Sequence, residues 1–353
     1  MTLKLQRLKT LTSRYAALRV ALVGDIALDR YFHIDPLVAE TSIETGLPVH
    51  NVTAVRAQPG AGGNVLANLA ALGPRSLAAV GFSGDDGEGF ELRRALEAVG
   101  VDLRHFLVRR DRVTFTYNKP ILIRAGRSPE ELSRLDIRSR TPTPTALEDE
   151  IVARLVEAVR EADVIVAMDQ VPEPGSGVLT RRVKAELAAL AARHPEKVFM
   201  ADSRTSVWDF RQVRIKVNRS ELAHHFALEP GAGASGDVAA LARRWAAQIG
   251  RDVFVTLGED GIVAASKDEV AVLPGVPVEP PIDVCGAGDA VLASLAMALG
   301  AGATIAEAAE MGNLAGAIVV KKVGTTGTAT VAELAALGAV LPAPPKGDAA
   351  TRQ

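Results

Sequence analysis

Apolar positions along this chain follow two rhythms. Between Leu3 and Leu18, leucines return at helical spacing among basic and polar residues, which predicts an amphipathic helix. Arg19–Gly24 (RVALVG) is then a short unbroken apolar run, the pattern of a strand buried on both faces. Helical stretches at Asn64–Leu72 and Gly87–Val99 flank a second such run at Ser76–Gly81. Beyond a polar, proline-containing link at Arg138–Thr145 the alternation resumes. Helices are predicted over Ala146–Glu161, Val178–Arg193 and Asp237–Ile249. Strands are predicted over Val164–Met168, Val198–Ala201, Val213–Val217 and Val253–Leu257, with further short strands to Leu273. Helices follow at Ala287–Leu299, Ile305–Val320 and Val331–Leu337. Strands alternating with helices imply an α/β fold with a mostly parallel sheet covered on both faces.

Two intervals break that rhythm. Stretches such as LPVHNVTAV, within 29–58, and VTFTYNKPILI, within 106–125, alternate apolar and polar residues as half-exposed strands do. Together they are expected to form one small β-sheet lid on the main domain. Residues 1–340 read as a single domain, and the Pro-, Ala- and charge-rich segment 341–353 as a disordered tail.

Composition narrows the classes. With 353 residues and 48% apolar content, a large core is available. A net charge of −2 offers no basic excess for nucleic acid. A single cysteine excludes an internal disulfide and a cysteine-built zinc site, which suits a reducing cytoplasm. The N-terminal stretch has charges spread through it and makes a poor signal peptide. The run near Ala287–Gly300 is too short to cross a membrane.

Chemistry concentrates at Asp283-Val-Cys-Gly-Ala-Gly-Asp289, a glycine-rich turn feeding an apolar helix. A helix N-terminus carries unpaired N–H groups and partial positive charge, so it binds anions. Asp289 adds a carboxylate beside that cradle, where it could take a proton from an attacking hydroxyl. The pairing suggests phosphoryl transfer to an alcohol; a plain helix cap is the alternative on the local pattern alone. A second cluster, Pro59-Gly-Ala-Gly-Gly-Asn64, opens the first long helix and lacks the acidic ribose partner of a dinucleotide fingerprint. Asp25 and Asp29 follow the first strand, where open α/β sheets bind ligands, and carboxylates there suit sugar hydroxyls. Asn218-Arg-Ser-Glu221 follows VRIKV; Glu221 could orient water around Mg²⁺, with a plain helix cap as the alternative. The six histidines show no metal-ligand spacing.

In this order, the motifs resemble those of the ribokinase-like (PfkB) carbohydrate kinase family, over about Arg19 to Leu337. The look is most similar to the branch of D-glycero-D-manno-heptose-7-phosphate kinases, through GDIALDRYFHID, SIETGLPV, PGAGGNVLANLAALG and GNLAGAIVVKKVGTTGTATVAEL. The resemblance implies a three-layer α/β/α sandwich with a small β-sheet lid, a cytoplasmic ATP-dependent enzyme, and Mg²⁺. Asp289 would be the base, with the N–H groups of Gly286, Ala287 and Gly288 as the anion hole. Asn218 and Glu221 would support Mg²⁺ and the phosphates, the metal through water. Gly258 and Gly261 would flank the nucleotide, with Asn313 near the adenine. Asp283 would sit near a position for a monovalent cation such as K⁺. Asp25, Asp29, Gly62, Gly63 and Asn64 would face the sugar, and Lys119, Arg124 and Arg127 are candidate anchors for a substrate phosphate.

Three departures bear on the acceptor. Cys285 stands where the heptose kinases usually carry Thr, Ala61 and Gly62 depart from the usual PGGAAN order, and VAMDQVPEPGSG replaces a short Asp-Tyr-Gly-Lys-Gly turn. No His-x-Gly-His nucleotidyltransferase motif occurs. A homodimer through the lid strands is expected, because pairing would cover their edges. A non-catalytic sugar or nucleotide sensor, a kinase for a ribose- or fructose-type sugar, and a dinucleotide-dependent oxidoreductase are the competing readings.

Overall fold

A computed structural model describes residues 3–226 and 235–341. Its centre is a nine-stranded sheet. β1 (Arg19–Gly24) lies between β4 (Ser76–Gly84) and β9 (Val164–Asp169), parallel to both. β9 leads through β10 (Val198–Ser203) and β11 (Arg214–Asn218) to β12 (Val253–Thr256), all parallel. β13 (Ile262–Ala265) and β14 (Val270–Leu273) close that side antiparallel, and β5 (Phe106–Arg109) pairs with β4 at the far edge. β1 and β9 are largely apolar because helices cover both faces.

One face carries α1 (Leu5–Thr12), α2 (Gly62–Ala71), α3 (Gly87–Ala98), α8 (Ala287–Gly300), α9 (Ile305–Val319) and α10 (Val331–Val340) over Leu22, Val166 and Phe254. The other carries α4 (Thr145–Glu161), α5 (Arg181–Arg193), α6 (Arg219–His225) and α7 (Ser235–Ile249) over Val23, Ile165 and Val255. The result is the expected three-layer sandwich. The helix predicted over Leu3–Leu18 is shorter, with a separate 3₁₀ turn at Tyr15–Ala17. Leu341 apart, the expected tail lies outside the described residues.

The lid is a five-stranded sheet. β2 (Ile26–Thr41) and β3 (Pro48–Ala61) form a long antiparallel hairpin, and β6 (Thr116–Leu122) runs parallel to β2. β7 (Glu130–Glu131) and β8 (Leu135–Ile137) pair with β6 on its other side. This corrects the second lid interval: Phe106–Arg109 belongs to the main sheet, and the lid extends past 125 to Ile137. β5 is a short, partly exposed edge strand, so its four residues alone do not distinguish it from a lid strand. The hairpin grows directly out of β1 and returns into α2, so its base lies beside the C-terminal ends of the central strands.

Candidate functional site

The opening of α8 is built as a cradle. Gly286 caps the helix at φ 79°, a left-handed backbone that favours glycine, and no side chain caps the first turn. Ala287 donates its N–H to Val284 O at 3.2 Å, closing the turn. A Cβ at Gly288 would lie 3.0 Å from Lys216 Nζ. The glycine therefore admits a buried lysine against the helix start.

Lys216 sits on β11 and bonds Asp202 Oδ2 of β10 at 2.7 Å, both side chains being buried. Burial works against its charge, but Asp202, Glu221 and Asp289 outweigh that and hold its pKa above the ordinary lysine value. Asp289, in the first turn of α8, is pushed up to about 7 by burial; Asp202 and Asp29 add to the rise, while Lys216 and a hydrogen bond from Asn64 oppose it. A carboxylate with that value is poised to accept a proton near neutral pH.

On the acceptor side, Asp29 Oδ2 accepts from Lys119 Nζ at 3.0 Å, and Lys119 also reaches the Tyr31 hydroxyl at 3.3 Å. Asp29 Oδ1 is buried without a hydrogen-bond partner. An orphan carboxylate oxygen is costly, and a ligand hydroxyl would satisfy it. Lys119, Tyr31, His33, Arg56, Cys285 and Thr326 line a cavity of about 420 Å³ between lid and core. Burial raises the Cys285 thiol, with Lys119 pulling the other way.

Asp25 is placed differently from the expectation that it faces the sugar. Its Oδ2 accepts N–H bonds from Gln170 and Val171, and its Oδ1 from Val178, at 2.7–3.0 Å. Burial and the neighbouring Asp169 raise its pKa to about 6, and the three amides pull it back. Asp25 is thus a clamp on the 170–178 loop, with both oxygens occupied. Gly62 and Gly63 serve close packing: a Cβ would meet Asp25 O at 2.8 Å and Pro59 Cβ at 2.5 Å, respectively. Ala61, just before them, has φ 52° and ψ −122°, a backbone that costs an alanine roughly 1–3 kcal/mol.

Asn218 and Glu221 form a reciprocal capping box on α6: Asn218 Oδ1 accepts from Glu221 N at 2.9 Å, and Glu221 Oε2 from Asn218 N at 2.8 Å. The cap is therefore present, and Asp202 and Lys216 act electrostatically on Glu221. Burial and Asp202 raise the Glu221 pKa. Gly258 and Gly261 (φ 67° and 102°) bracket a turn packed on Leu273–Gly275, and Asn313 Nδ2 donates to Pro274 O at 3.0 Å. Those three residues are brought together. Asp283 joins two loops, accepting from Cys285 N at 3.0 Å and Gly324 N at 3.1 Å. Arg124 pairs with Glu130 at an exposed turn, and neither it nor Arg127 lines the cavity. Both are therefore withdrawn as phosphate anchors.

The sequence reading missed Lys216, Asp202, Arg56 and His33. The signal for the first two was a charge in the interior of an apolar strand, in VRIKV and VFMADS.

A similar pair lies across the sheet. Lys184 of α5 bonds Asp169 Oδ2 at 2.7 Å and Ser206 Oγ at 2.6 Å, and Ser203 and Ser206 also donate to Asp169.

The pfkB carbohydrate kinase family matches residues 20–331. The bifunctional protein HldE of Halorhodospira halophila is 34% identical over 338 residues, covering 93% of this chain and 65% of that protein. HldE of Paramagnetospirillum magneticum is 34% identical, covering 90% of this chain and 63% of that protein. The chain thus spans under two-thirds of these relatives' length. Among solved structures, phosphofructokinase-2 from Escherichia coli in complex with potassium has a TM-score of 0.68 at 18% identity, covering 91% of this chain and 98% of that one. Arabidopsis thaliana ribokinase complexed with ribose and ATP has a TM-score of 0.65 at 16% identity, covering 91% and 99%. At such identities these two establish the shared fold alone.

Proposed function

Because this chain belongs to the pfkB family of carbohydrate kinases, we propose that it transfers the γ-phosphoryl group of ATP to a hydroxyl of a sugar phosphate, with heptose 7-phosphate the leading acceptor. The observation that carries the transfer is Asp289, with its raised pKa, in the open first turn of α8. The acceptor hydroxyl lies between Asp289 and the cradle. Its oxygen bonds to phosphorus as the bond to the ADP oxygen breaks, and its proton passes to Asp289. Gly286 and Gly288 let the backbone approach the phosphates, whereas the Ala287 N–H, expected in the anion hole, is already given to Val284 O. Gly258, Gly261 and Asn313 frame the nucleotide side.

Asp29 and Asn64 orient the sugar from the lid base. Arg56, His33 and Lys119 around the 420 Å³ cavity favour an acceptor that already bears an anionic group. Glu221, with one oxygen outside the capping box, fits a Mg²⁺ ion that keeps most of its waters. When bound, that ion neutralises phosphate charge. We read Asp283 as bordering a monovalent-cation position, so exchange of K⁺ for Na⁺ should lower turnover.

No helix among the described residues is long and apolar enough to cross a membrane, and we place the enzyme in the cytoplasm. Leu37 and Ile43 at the lid's far end are 89% and 97% exposed, which supports a homodimer through the lids. Sedimentation showing only monomer at high concentration would remove that part.

The deciding experiment measures Mg²⁺-dependent ADP formation across sugars and sugar phosphates, with Asp289→Asn as control. Response to heptose 7-phosphate alone supports the narrow reading. Response to another sugar keeps the kinase and discards the heptose. Bound ATP without turnover on any acceptor favours a sensor.

A further inference from the structure

We propose that the cavity beside α5, on the face of the sheet away from the Asp289 cradle, is a second small-molecule site. It takes a polyhydroxylated anion, either a sugar phosphate or a sugar acid. The cavity holds about 570 Å³ and shares no lining residue with the acceptor cavity of about 420 Å³. Its placement does not rest on the kinase reading.

One wall is the loop that follows β9, Val171-Pro-Glu-Pro-Gly-Ser-Gly177. In this stretch the chain departs from the short turn of the heptose kinases, and the proposed transfer makes no use of it. The loop is fixed before any ligand arrives. Asp25 holds its two ends through the N–H groups of Gln170, Val171 and Val178. Thr143 holds its middle, donating to Gly175 O and Gly177 O at 2.7 Å each. A preformed wall of this kind spares a ligand the cost of ordering it. Leu179 and two alanines of α5 make the other wall apolar, which suits the C–H faces of a carbon skeleton.

The polar lining is half satisfied. Arg138 and Arg140 both donate to Glu173 Oε1, while Glu173 Oε2 is buried without a hydrogen-bond partner. Lys184, Ser203 and Ser206 all donate to Asp169 Oδ2, and no described residue donates to Oδ1. Two carboxylate oxygens thus lack donors, and ligand hydroxyls would supply them. The rim is cationic. Arg181 has no carboxylate partner among the described residues, and Arg211 donates only to the carbonyls of Trp208 and Phe210. Asp209, also at the rim, lies 4.0 Å from Lys184. With the two arginines on Glu173 included, five cations face three carboxylates, Asp169, Glu173 and Asp209. That excess favours an anion, and a guanidinium fork matches phosphate and carboxylate alike. A neutral sugar would leave the arginines without a counter-ion, and a bare inorganic anion would leave the two oxygens without donors.

Tryptophan fluorescence tests this in the full chain. Both tryptophans lie on this face of the sheet, and Trp208 stands between Ser206 and Asp209 of the lining. The lid cavity has none. The protein is titrated with pentose, hexose and heptose phosphates, the matching sugar acids, the free sugars and inorganic phosphate. We expect a saturable response to a sugar phosphate or a sugar acid, and the tighter of the two identifies the source. The free sugars and inorganic phosphate should bind at least about tenfold more weakly, the scale for losing one charge-assisted bond. Arg181→Ala/Arg211→Ala should weaken the response about 10–10²-fold on the same scale. Both side chains are exposed, so the fold should survive their loss. Arg182→Ala, next to the site but outside its lining, should leave affinity unchanged. The proposal is overturned if no sugar phosphate or sugar acid gives a saturable response. Equal affinity for inorganic phosphate or for a free sugar also overturns it, as does undiminished binding in the double arginine variant. Turnover plays no part in these readouts, so failure of the kinase reading leaves the result standing.

Discussion

Two lysine–aspartate pairs flank the C-terminal ends of β9 and β10, and they differ in what surrounds them. Each has an N–O distance of 2.7 Å and side chains at most 9% exposed. In the parallel register Asp169 stands opposite Ser203 and Asp202 opposite Met168, so the two carboxylates point to opposite faces of the sheet. The Lys184 pair is met by hydroxyls: Ser203 and Ser206 donate to Asp169, the ammonium lies 4.8 Å from the Phe210 ring centroid, and Asp169, Lys184 and Ser206 border a cavity of about 570 Å³. The Lys216 pair instead meets a glycine, Gly288, and a second carboxylate, Asp289. Burial and distance do not separate the two. The hydroxyl partners of Asp169 and the missing Cβ at Gly288 do.

The comparison can be broken at several points. Asp289→Asn should cut turnover roughly 10²–10⁴-fold while ATP binding persists, measured by steady-state kinetics and calorimetry. Lys184→Met should cost about 3–5 kcal/mol in urea unfolding, because it strands a buried Asp169, yet the folded fraction should keep its turnover. A collapse of turnover per folded molecule would erase the contrast with Lys216. Gly288→Ala keeps every charge but presses on the lysine; a displacement of this kind costs up to about 10²-fold in turnover, with ADP affinity unchanged.

The pH dependence follows from Asp289. With a pKa of about 7 in the folded enzyme, kcat/KM should level off above that value and fall about tenfold per pH unit below it, as the base protonates. The same shift bears on stability. The folded-state value exceeds the ordinary 3.8, so the contribution present below pH 4 is lost as pH rises through about 7. Asp289→Asn should therefore match the wild type in melting temperature at pH 4 and exceed it at pH 8. The smallest effect belongs to Ala61→Gly, which should add about 1 kcal/mol by relieving the φ of 52°.

Much of the frame was legible. β1 was read to the residue, because a strand flanked by two others and covered on both faces must be apolar throughout. β5 was misassigned because an edge strand looks like a lid strand when its partner is unknown. At the site, Asp289 and its glycines are contiguous and could be read locally. Asp25 and Asp29 could not be told apart: what separates them is the loop whose amides reach Asp25 and the lysine on β6 that reaches Asp29, both distant in sequence. Lys216 was visible only as an anomaly, since its meaning depends on Asp202, Gly288 and Asp289 arriving from three other segments.

Gln58 of lid strand β3 donates to Thr326 Oγ1, and Thr326 lies 3.4 Å from the position of a Gly286 Cβ. One end of that bond belongs to the sheet over the acceptor, the other to the loop beside the donor's cradle. On the proposed kinase reading this bond would couple the two sites, and linkage would make the influence mutual: whatever factor the acceptor added to nucleotide affinity, the nucleotide would add to acceptor affinity. Calorimetric titrations run in both orders should give one shared coupling factor above unity. Removing the Gln58 side chain should bring it towards one without disturbing either binary affinity.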